Sequence, residues 1–376
     1  MELAVQKYLR SGKTLEDLKA EFGIYSALHP TEALVIFKYD MIESPKTHPI
    51  VRECRGLVLE SGKWNVVSKG FNRFYNLGEY PEEHKLFDWN NCSVQEKCDG
   101  SLIQISWHNG KKLLTTSGSF GLGEVTFSKK TWIQLFWDTL GIEEKNCLLD
   151  ENLTHVFELC TAWNKVVRTY AEPTIFLLSL FKNSDHAELS VDECDKYCEK
   201  INKLHNIKIK RPELYQLNSE DEVKSFLKGK EDKDPTYEGF VIRDINGIRV
   251  KVKSLTYLSL HRMLDNGNIL NPKHLVPLAL SGEGDEVVTY FPEIKQALAE
   301  AKQKIDEEYT NLLKVYKENY HIPTQKDFAL AIIKKTKFSS LLFAVRKKAG
   351  IIEDVEMLRQ LWKESEELIT KVIYDN

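Results

Sequence analysis

The chain has 376 residues and a formal net charge of −4, with 42% hydrophobic and 29% charged residues. At roughly 150 residues per domain this predicts two domains, and the balance excludes a disordered, collagen-like or small disulfide-stapled chain. A strongly basic nucleic-acid binder is not visible at whole-chain level, although phosphate binding depends on local clusters rather than totals.

In chain order, the first ten residues are interrupted by charge and lack a signal-peptide core. Thr14-Leu-Glu-Asp17 resembles a capping box before Leu15, Leu18 and Phe22 at helical spacing. From about Ala33 to Asp265 short β-rich runs recur: 34–39, 56–59, 102–107, 155–159, 175–180, 239–242 and 248–253. The last two flank Asp244-Ile-Asn-Gly247, an Asn-Gly hairpin signal. Segments 126–140 and 190–228 read as helical. The pattern predicts an α+β domain with mostly antiparallel strands over residues 1–260.

Beyond that the texture becomes helical. Ile294, Leu298, Ala301, Ile305, Leu312 and Leu313 share one face, Pro323-Thr-Gln-Lys-Asp327 reads as a helix start, and Lys348-Ala-Gly350 as a stop. Val355, Leu358, Leu361 and Trp362 continue the pattern. From Asp285 onward the sole glycine is Gly350, too few turn residues for a small β-barrel, so 261–376 is expected to be an all-α domain. The longest apolar stretch, 174–181, is far too short to span a bilayer. Seven scattered cysteines without a CxxC pair fit thiols in a reducing cytosol better than disulfides or a zinc site.

Several signals fail. Ser11-Gly-Lys-Thr14 lacks the glycine a phosphate-binding loop needs five residues earlier, where Lys7 stands. Gly118-Ser-Phe-Gly-Leu-Gly123 is not GxGxxG. Cys194 and Cys198, four apart, suit a helix face more than a metal site. Seven basic residues against one acid, Asp327, crowd Lys326 to Lys348. Charge alone leaves that cluster equally a solvated helix face or a phosphate-binding surface.

Lys97-Cys-Asp-Gly-Ser101 leads into an apolar strand and places a lysine toward a cleft. Lysine is a nucleophile only when neutral, and a pKa near 10.4 leaves about one molecule in a thousand neutral near pH 7.4. A shift of about 4 kcal/mol from desolvation and neighbouring cations would close that gap, so cations and metal-holding carboxylates are expected nearby. Arg55 in Glu53-Cys-Arg-Gly-Leu57, Glu158 in Phe157-Glu-Leu-Cys160 and Glu238 in Tyr237-Glu-Gly-Phe-Val-Ile242 are candidates. Lys251 and Lys253, two apart on a strand, face one side. Singly, such a turn and such a Lys-Val-Lys strand have bland structural readings.

As an ordered set, Lys97-Cys-Asp-Gly, Phe157-Glu, Glu238-Gly and Lys251-Val-Lys253 resemble the motifs of the covalent nucleotidyltransferases, the ATP-dependent ligases and capping enzymes. Glu53-Cys-Arg-Gly56, Phe74-Tyr-Asn-Leu77, Asn164-Lys-Val-Val167 and the run from Lys251 to His261 narrow the resemblance to the phage RNA ligase 1 family, tRNA-repair ligases of T-even phages. It covers nearly the whole chain. It implies an antiparallel-sheet nucleotidyltransferase domain followed by the all-α domain.

By that resemblance Lys97 is the nucleophile taking AMP from ATP, and Asp99 positions the lysine and its metal. Arg55 contacts phosphate in the sealing steps, Glu158 reads the ribose hydroxyls, and Glu238 lies near lysine and metal. Lys251 and Lys253 neutralise the triphosphate, and Tyr257 joins the site. Arg73 stands where the family prototype has lysine, keeping charge but changing geometry. Thr115-Thr-Ser117 replaces lysines before Gly118-Ser119 and cannot neutralise phosphate.

The implied activity is ATP-dependent joining of RNA 3′-hydroxyl and 5′-phosphate ends through lysyl-AMP and RNA-adenylate. Magnesium, or manganese, is the expected metal, held by Glu238 and Asp99. A nicked tRNA is the expected substrate, and Lys334, Lys335, Lys337, Arg346, Lys347 and Lys348 the expected RNA contacts. The resemblance further implies a monomer in the cytoplasm, the host's if the gene is a phage's, paired with a polynucleotide kinase/phosphatase. The rivals are a DNA ligase or guanylyltransferase, against which the helical tail argues, and a non-catalytic RNA-binding protein with a vestigial pocket, against which the intact set argues.

Overall fold

A computed structural model of the chain describes residues 2–40, 44–125, 128–264, 271–281 and 294–374. It divides into two compact units, Met1–Leu258 and Ser259–Asn376.

The first unit is α+β. One five-stranded sheet runs in the order Ile209–Lys210, Thr174–Lys182, Leu153–Cys160, Ser101–His108 and Lys111–Thr116. A second runs Leu214–Tyr215, Cys92–Glu96, Gly239–Asp244, Arg249–Lys253 and Tyr75–Asn76. Both are antiparallel apart from one parallel edge pairing in each. A four-stranded antiparallel sheet joins Ile24–Leu28, Leu34–Tyr39, Arg55–Glu60 and Val66–Ser68. The expected strand runs all lie within observed strands, except that 248–253 begins one residue before Arg249–Lys253. Ile24–Leu28 gave no signal because Ile24 alone in it is buried, so burial does not alternate.

The local codes act as read. Thr14 Oγ1 accepts the Asp17 N–H at 3.1 Å, and the Asp17 carboxylate accepts the Thr14 N–H at 2.8 Å, closing the capping box. The 244–247 turn joins Gly239–Asp244 to Arg249–Lys253, with Gly247 at φ +81°. Ser11–Thr14, the failed phosphate loop, links the helices Ala4–Arg10 and Leu15–Phe22.

Two helical expectations need correction. Segment 190–228 is two helices, Val191–His205 and Glu220–Glu231, separated by two short edge strands. Asn206 ends the first in the left-handed conformation, and Pro212 lies between the two strands. Segment 126–140 is helical only over Trp132–Leu140, capped by Thr131 with Gln134; residues 126 and 127 lie outside the described residues.

In the first unit, one core packs Phe136, Trp137 and Ile201 against the inner face of the 153–160 and 174–182 strands. A second holds Phe240, Ile242, Val250 and Val252 against Val223 and Leu227. The regular elements among the described residues of the second unit are all helices: the later part of Leu255–Leu264, then Pro272–Ser281, Lys295–Asn319, Gln325–Ile332, Ser339–Ala349, Val355–Lys363 and Glu366–Tyr374. Its core gathers Leu312, Phe328, Phe338, Leu342 and Trp362. Thr324 caps the helix start expected near Pro323, and Gly350 ends Ser339–Ala349 as expected. Among the described residues no helix is long and apolar enough to cross a membrane, and all seven cysteines are free.

Candidate active site

The segment 97–100 is the connection between the two five-stranded sheets, joining Cys92–Glu96 to Ser101–His108. Its surroundings follow from register. Phe240 lies opposite Glu96, and the Lys97 N–H continues the ladder to the Gly239 carbonyl at 2.9 Å. Gly239 in turn lies opposite Lys253. Lys97, Glu238 and Lys253 are thereby brought together from positions up to 156 residues apart.

Glu238 is the hub. It is 3% exposed, its Oε2 accepts from Lys97 Nζ at 2.8 Å, and Lys253 Nζ stands 2.9 Å from its Oε1. Burial alone would raise its pKa, but Lys97 and Lys253 outweigh that and hold it below the ordinary carboxylate value. Gly239 at φ +138° allows this approach, since a Cβ there would lie 2.0 Å from the Val252 carbonyl oxygen.

This geometry corrects one expectation. Burial pulls the Lys97 pKa down, yet Glu238, Glu158 and Asp99 together hold it above the ordinary lysine value. Carboxylates, not cations, are its nearest neighbours, so the free protein stores a protonated nucleophile. The depressed lysine is Lys251, pushed down to about 7 by burial and by Arg55, Lys97 and Lys253.

Asp99 is committed to the protein. Its Oδ2 accepts the N–H groups of Val167 and Arg168 at 2.9 and 2.6 Å, and its Oδ1 accepts the Tyr257 hydroxyl at 2.7 Å. Its own N–H donates to Tyr170. Asp99 therefore fastens the nucleophile turn to the 164–170 loop and to Tyr257, over which Lys253 Nζ lies 5.4 Å from the ring centre. Asn164 fixes the same loop, donating to Ser101 Oγ and the Leu159 carbonyl and accepting from Thr161. Arg168 ties it to Glu96 and stacks over Tyr170 and Tyr237.

Glu158 enters from the other sheet. It accepts the Gly100 N–H at 3.1 Å, and burial, offset in part by Lys97 and Arg55, pushes its pKa up to about 7. Position 100 requires glycine: a Cβ would lie 2.4 Å from the Leu159 carbonyl oxygen. Further along the cleft Phe74 is shared by cations, with Arg55, Lys251 and Arg249 at 5.0, 5.2 and 5.5 Å from its ring centre. Arg73 is set apart. It is 7% exposed, stacks 4.4 Å over Tyr39, and leaves Nε and Nη1 without a hydrogen-bond partner.

Among the described residues no three His, Cys, Asp or Glu side chains gather as a ready-made metal cage. Of the carboxylates facing Lys97, Glu158 engages one oxygen, with the Gly100 N–H, while both Glu238 oxygens are held by lysines, Oε2 by Lys97 and Oε1 by Lys253, so a cation at Glu238 would have to share it with them. A hard cation that keeps several waters and substrate phosphates as ligands fits so sparse a set of oxygen donors. Thr115 is buried with its hydroxyl unpaired, while the Thr116 and Ser119 hydroxyls bond each other.

In the second unit Lys334, Lys335, Lys337, Lys347 and Lys348 are exposed. The sequence cluster is split: Lys337 precedes the Ser339–Ala349 helix and Lys347 lies near its end, about 15 Å along the axis. Arg346 is occupied, donating to the Ile322 and Pro323 carbonyls and Gln325 and stacking on Phe328. Sequence reasoning missed Tyr170, Arg168 and Arg249. The last was visible as the third cation in the alternation Arg249-Val-Lys-Val-Lys253.

The sequence model of a family described as RNA ligase matches residues 53–257. An inferred bifunctional polynucleotide kinase/RNA ligase of Autographa californica nuclear polyhedrosis virus is 31% identical over 317 residues, 79% of this chain but 43% of that protein. The chain thus spans less than half the length of that relative. An inferred RNA ligase of Thermovibrio ammonificans is 24% identical over 273 residues, 70% of this chain and 68% of that one. An archaeal ATP-dependent RNA ligase of known structure aligns over 96% of this chain and 89% of its own, at 15% identity and a TM-score of 0.46.

Proposed function

The chain belongs to the RNA ligase family, and on that premise we propose that it seals RNA 3′-hydroxyl and 5′-phosphate ends at the expense of ATP, with Lys97 as the covalent carrier of AMP. The observation that carries this reading is the buried carboxylate of Glu238 held between Lys97 and Lys253 at 2.8 and 2.9 Å.

In the first step the neutral amine of Lys97 attacks the α-phosphorus of ATP in line. The N–P bond forms, the bond to the bridging oxygen breaks, and pyrophosphate leaves. The proton on Lys97 must depart first, and in the free protein Glu238 holds it on the amine, so its release has to follow the change in charge that ATP brings to the site. Lys253 and Lys251 lie along one strand face and offset the charge of the departing phosphates. Glu158 is positioned for the ribose hydroxyls, and Asp99, through Tyr257 and the 167–168 backbone, keeps the nucleophile turn in place. AMP then passes to the RNA 5′-phosphate, and the 3′-hydroxyl displaces it. Such chemistry depends on positioning and charge neutralisation more than on covalent help from the protein.

A divalent cation, magnesium or manganese, held by Glu238 and phosphate oxygens would draw electron density from the α-phosphate. The helical unit would select the RNA, of which a cleaved tRNA is the natural candidate, and an end-healing kinase/phosphatase would prepare the termini. The name of the viral relative, which joins a kinase to a ligase, supports that pairing. The reading places the protein in the cytoplasm, where such RNA is found.

The test is to supply RNA already carrying a 5′-adenylate. Lys97→Ala should seal it without ATP while failing to seal 5′-phosphate RNA with ATP. Equal failure on both substrates would contradict the assigned role of Lys97.

A further inference from the structure

The strand Arg249–Lys253 carries three cations on one face, because its burial alternates with Val250 and Val252 turned inward. Successive members of this row are about 7 Å apart. Lys253 stands at Glu238, Lys251 at Phe74, and Arg249 one step further on. The two anhydride links of a triphosphate span roughly one such step. A nucleotide whose α-phosphate is at Lys97 is therefore served by Lys253 and Lys251 and falls short of Arg249.

At Arg249 the row opens into a cavity of about 530 Å³, within the usual size of ligand pockets. Arg52, Lys69, Arg73, Arg243 and Arg249 line it, against two carboxylates, Glu83 and Glu188. Glu188 is already taken by Arg249 at 2.6 Å and lies 3.5 Å from Arg243, and Glu83 is taken by Arg52 at 2.9 Å. Arg73 lies 3.9 Å from a third carboxylate, Glu79, outside the lining, so two positive charges remain in excess. Arg73 Nε and Nη1 and Arg52 Nε are buried without a hydrogen-bond partner among the described residues, and such donors suit an anionic acceptor. Lys69 is 9% exposed and, among the described residues, is held by Asn72 and the Gly70 carbonyl. Arg249 stacks 4.6 Å over Phe71, so the lining also offers flat apolar surface suited to a base or ribose.

We propose that this cavity binds a phosphate of the RNA strand beside the break being sealed, an inference that rests on the ligase reading for the identity of the strand. The row Lys253, Lys251, Arg249 then forms a continuous track leading the RNA from the cavity to the adenylate on Lys97.

The test uses the full chain and the variant Lys69→Gln/Arg243→Gln, which removes two cations of the cavity and leaves Arg249 its Glu188 partner. Binding of a fluorescent 5′-phosphorylated single-stranded RNA is measured by anisotropy without ATP, across a salt series. The variant should bind at least tenfold more weakly, and its log–log salt slope should be shallower by about 1. Its lysyl-AMP yield from labelled ATP should stay within twofold of the parent, which also reports a folded cleft. Lys69→Arg/Arg243→Lys should restore RNA affinity. Unchanged RNA affinity and slope would overturn the proposal. So would a loss confined to adduct formation, because the cavity would then serve the triphosphate. Absence of any adduct in the parent would count against the ligase reading instead, while the RNA arm would still decide on the cavity.

Discussion

Replacing Glu238 by glutamine separates the two duties assigned to it. The carboxylate lies 2.8 Å from Lys97 Nζ, where a unit charge pair at an effective dielectric of 20 is worth about 6 kcal/mol. That is a ceiling, since the amide oxygen of glutamine still accepts a hydrogen bond. Lys97 would also lose the buffer between it and Lys253, adding a like-charge term of the same sign. The Lys97 pKa should therefore fall, measured as a lower pH midpoint of its modification by an amine-selective reagent with peptide mapping. The adenylation rate should move the other way. Without the carboxylate that orients Nζ, single-turnover adduct formation should drop at least about 100-fold despite the larger neutral fraction. An unmoved midpoint would refute the claim that Glu238 keeps the nucleophile protonated, and a retained rate would refute its role in catalysis.

Lys251, with its pKa pushed down to about 7, is about nine-tenths neutral at pH 8 in the free protein, whereas a bound triphosphate would favour its charged form. Binding of a non-cleavable ATP analogue at pH 8 should then take up protons, and calorimetry in buffers of different ionisation enthalpy should show that uptake reduced by up to about one proton in Lys251→Met. Gly100→Ala would drive a Cβ to 2.4 Å from the Leu159 carbonyl; it should cost about 1–3 kcal/mol of stability by denaturant titration and slow adduct formation at least about 100-fold by displacing Lys97. Neutralising Lys334, Lys335, Lys337, Lys347 and Lys348 together should weaken RNA binding and flatten its salt dependence while leaving adduct formation intact, whereas adding Arg346→Gln should lower stability, because that guanidinium clips the 320–325 turn.

The residues legible from sequence are those whose chemistry is local. Lys97 announces itself by the Asp-Gly-Ser that follows, and Lys251 and Lys253 by strand alternation. Glu158 and Glu238 were found as ordered motifs, but nothing local says that Glu238 answers to two lysines. That depends on strand register between segments 141 residues apart. The same holds for Asp99, whose partner Tyr257 is 158 residues away and whose other donors are backbone N–H groups, invisible to any reading of side chains. The sign of the Lys97 shift was misjudged for a related reason: desolvation can be guessed from an apolar flank, but the balance of charges around a buried amine is set by tertiary geometry. In the helical unit, helix starts and stops were written in Thr324 and Gly350, whereas a run of basic residues concealed that Arg346 turns inward and that a helix separates the lysines.

The most direct test of the account is to incubate the full chain with α-labelled ATP and magnesium, separate it under denaturing conditions, and map the labelled peptide. The account predicts an acid-labile, alkali-stable AMP bonded to Lys97, released on adding pyrophosphate, and absent from Lys97→Ala. A label on another residue, or none in the parent protein under conditions where ATP binds, would contradict it.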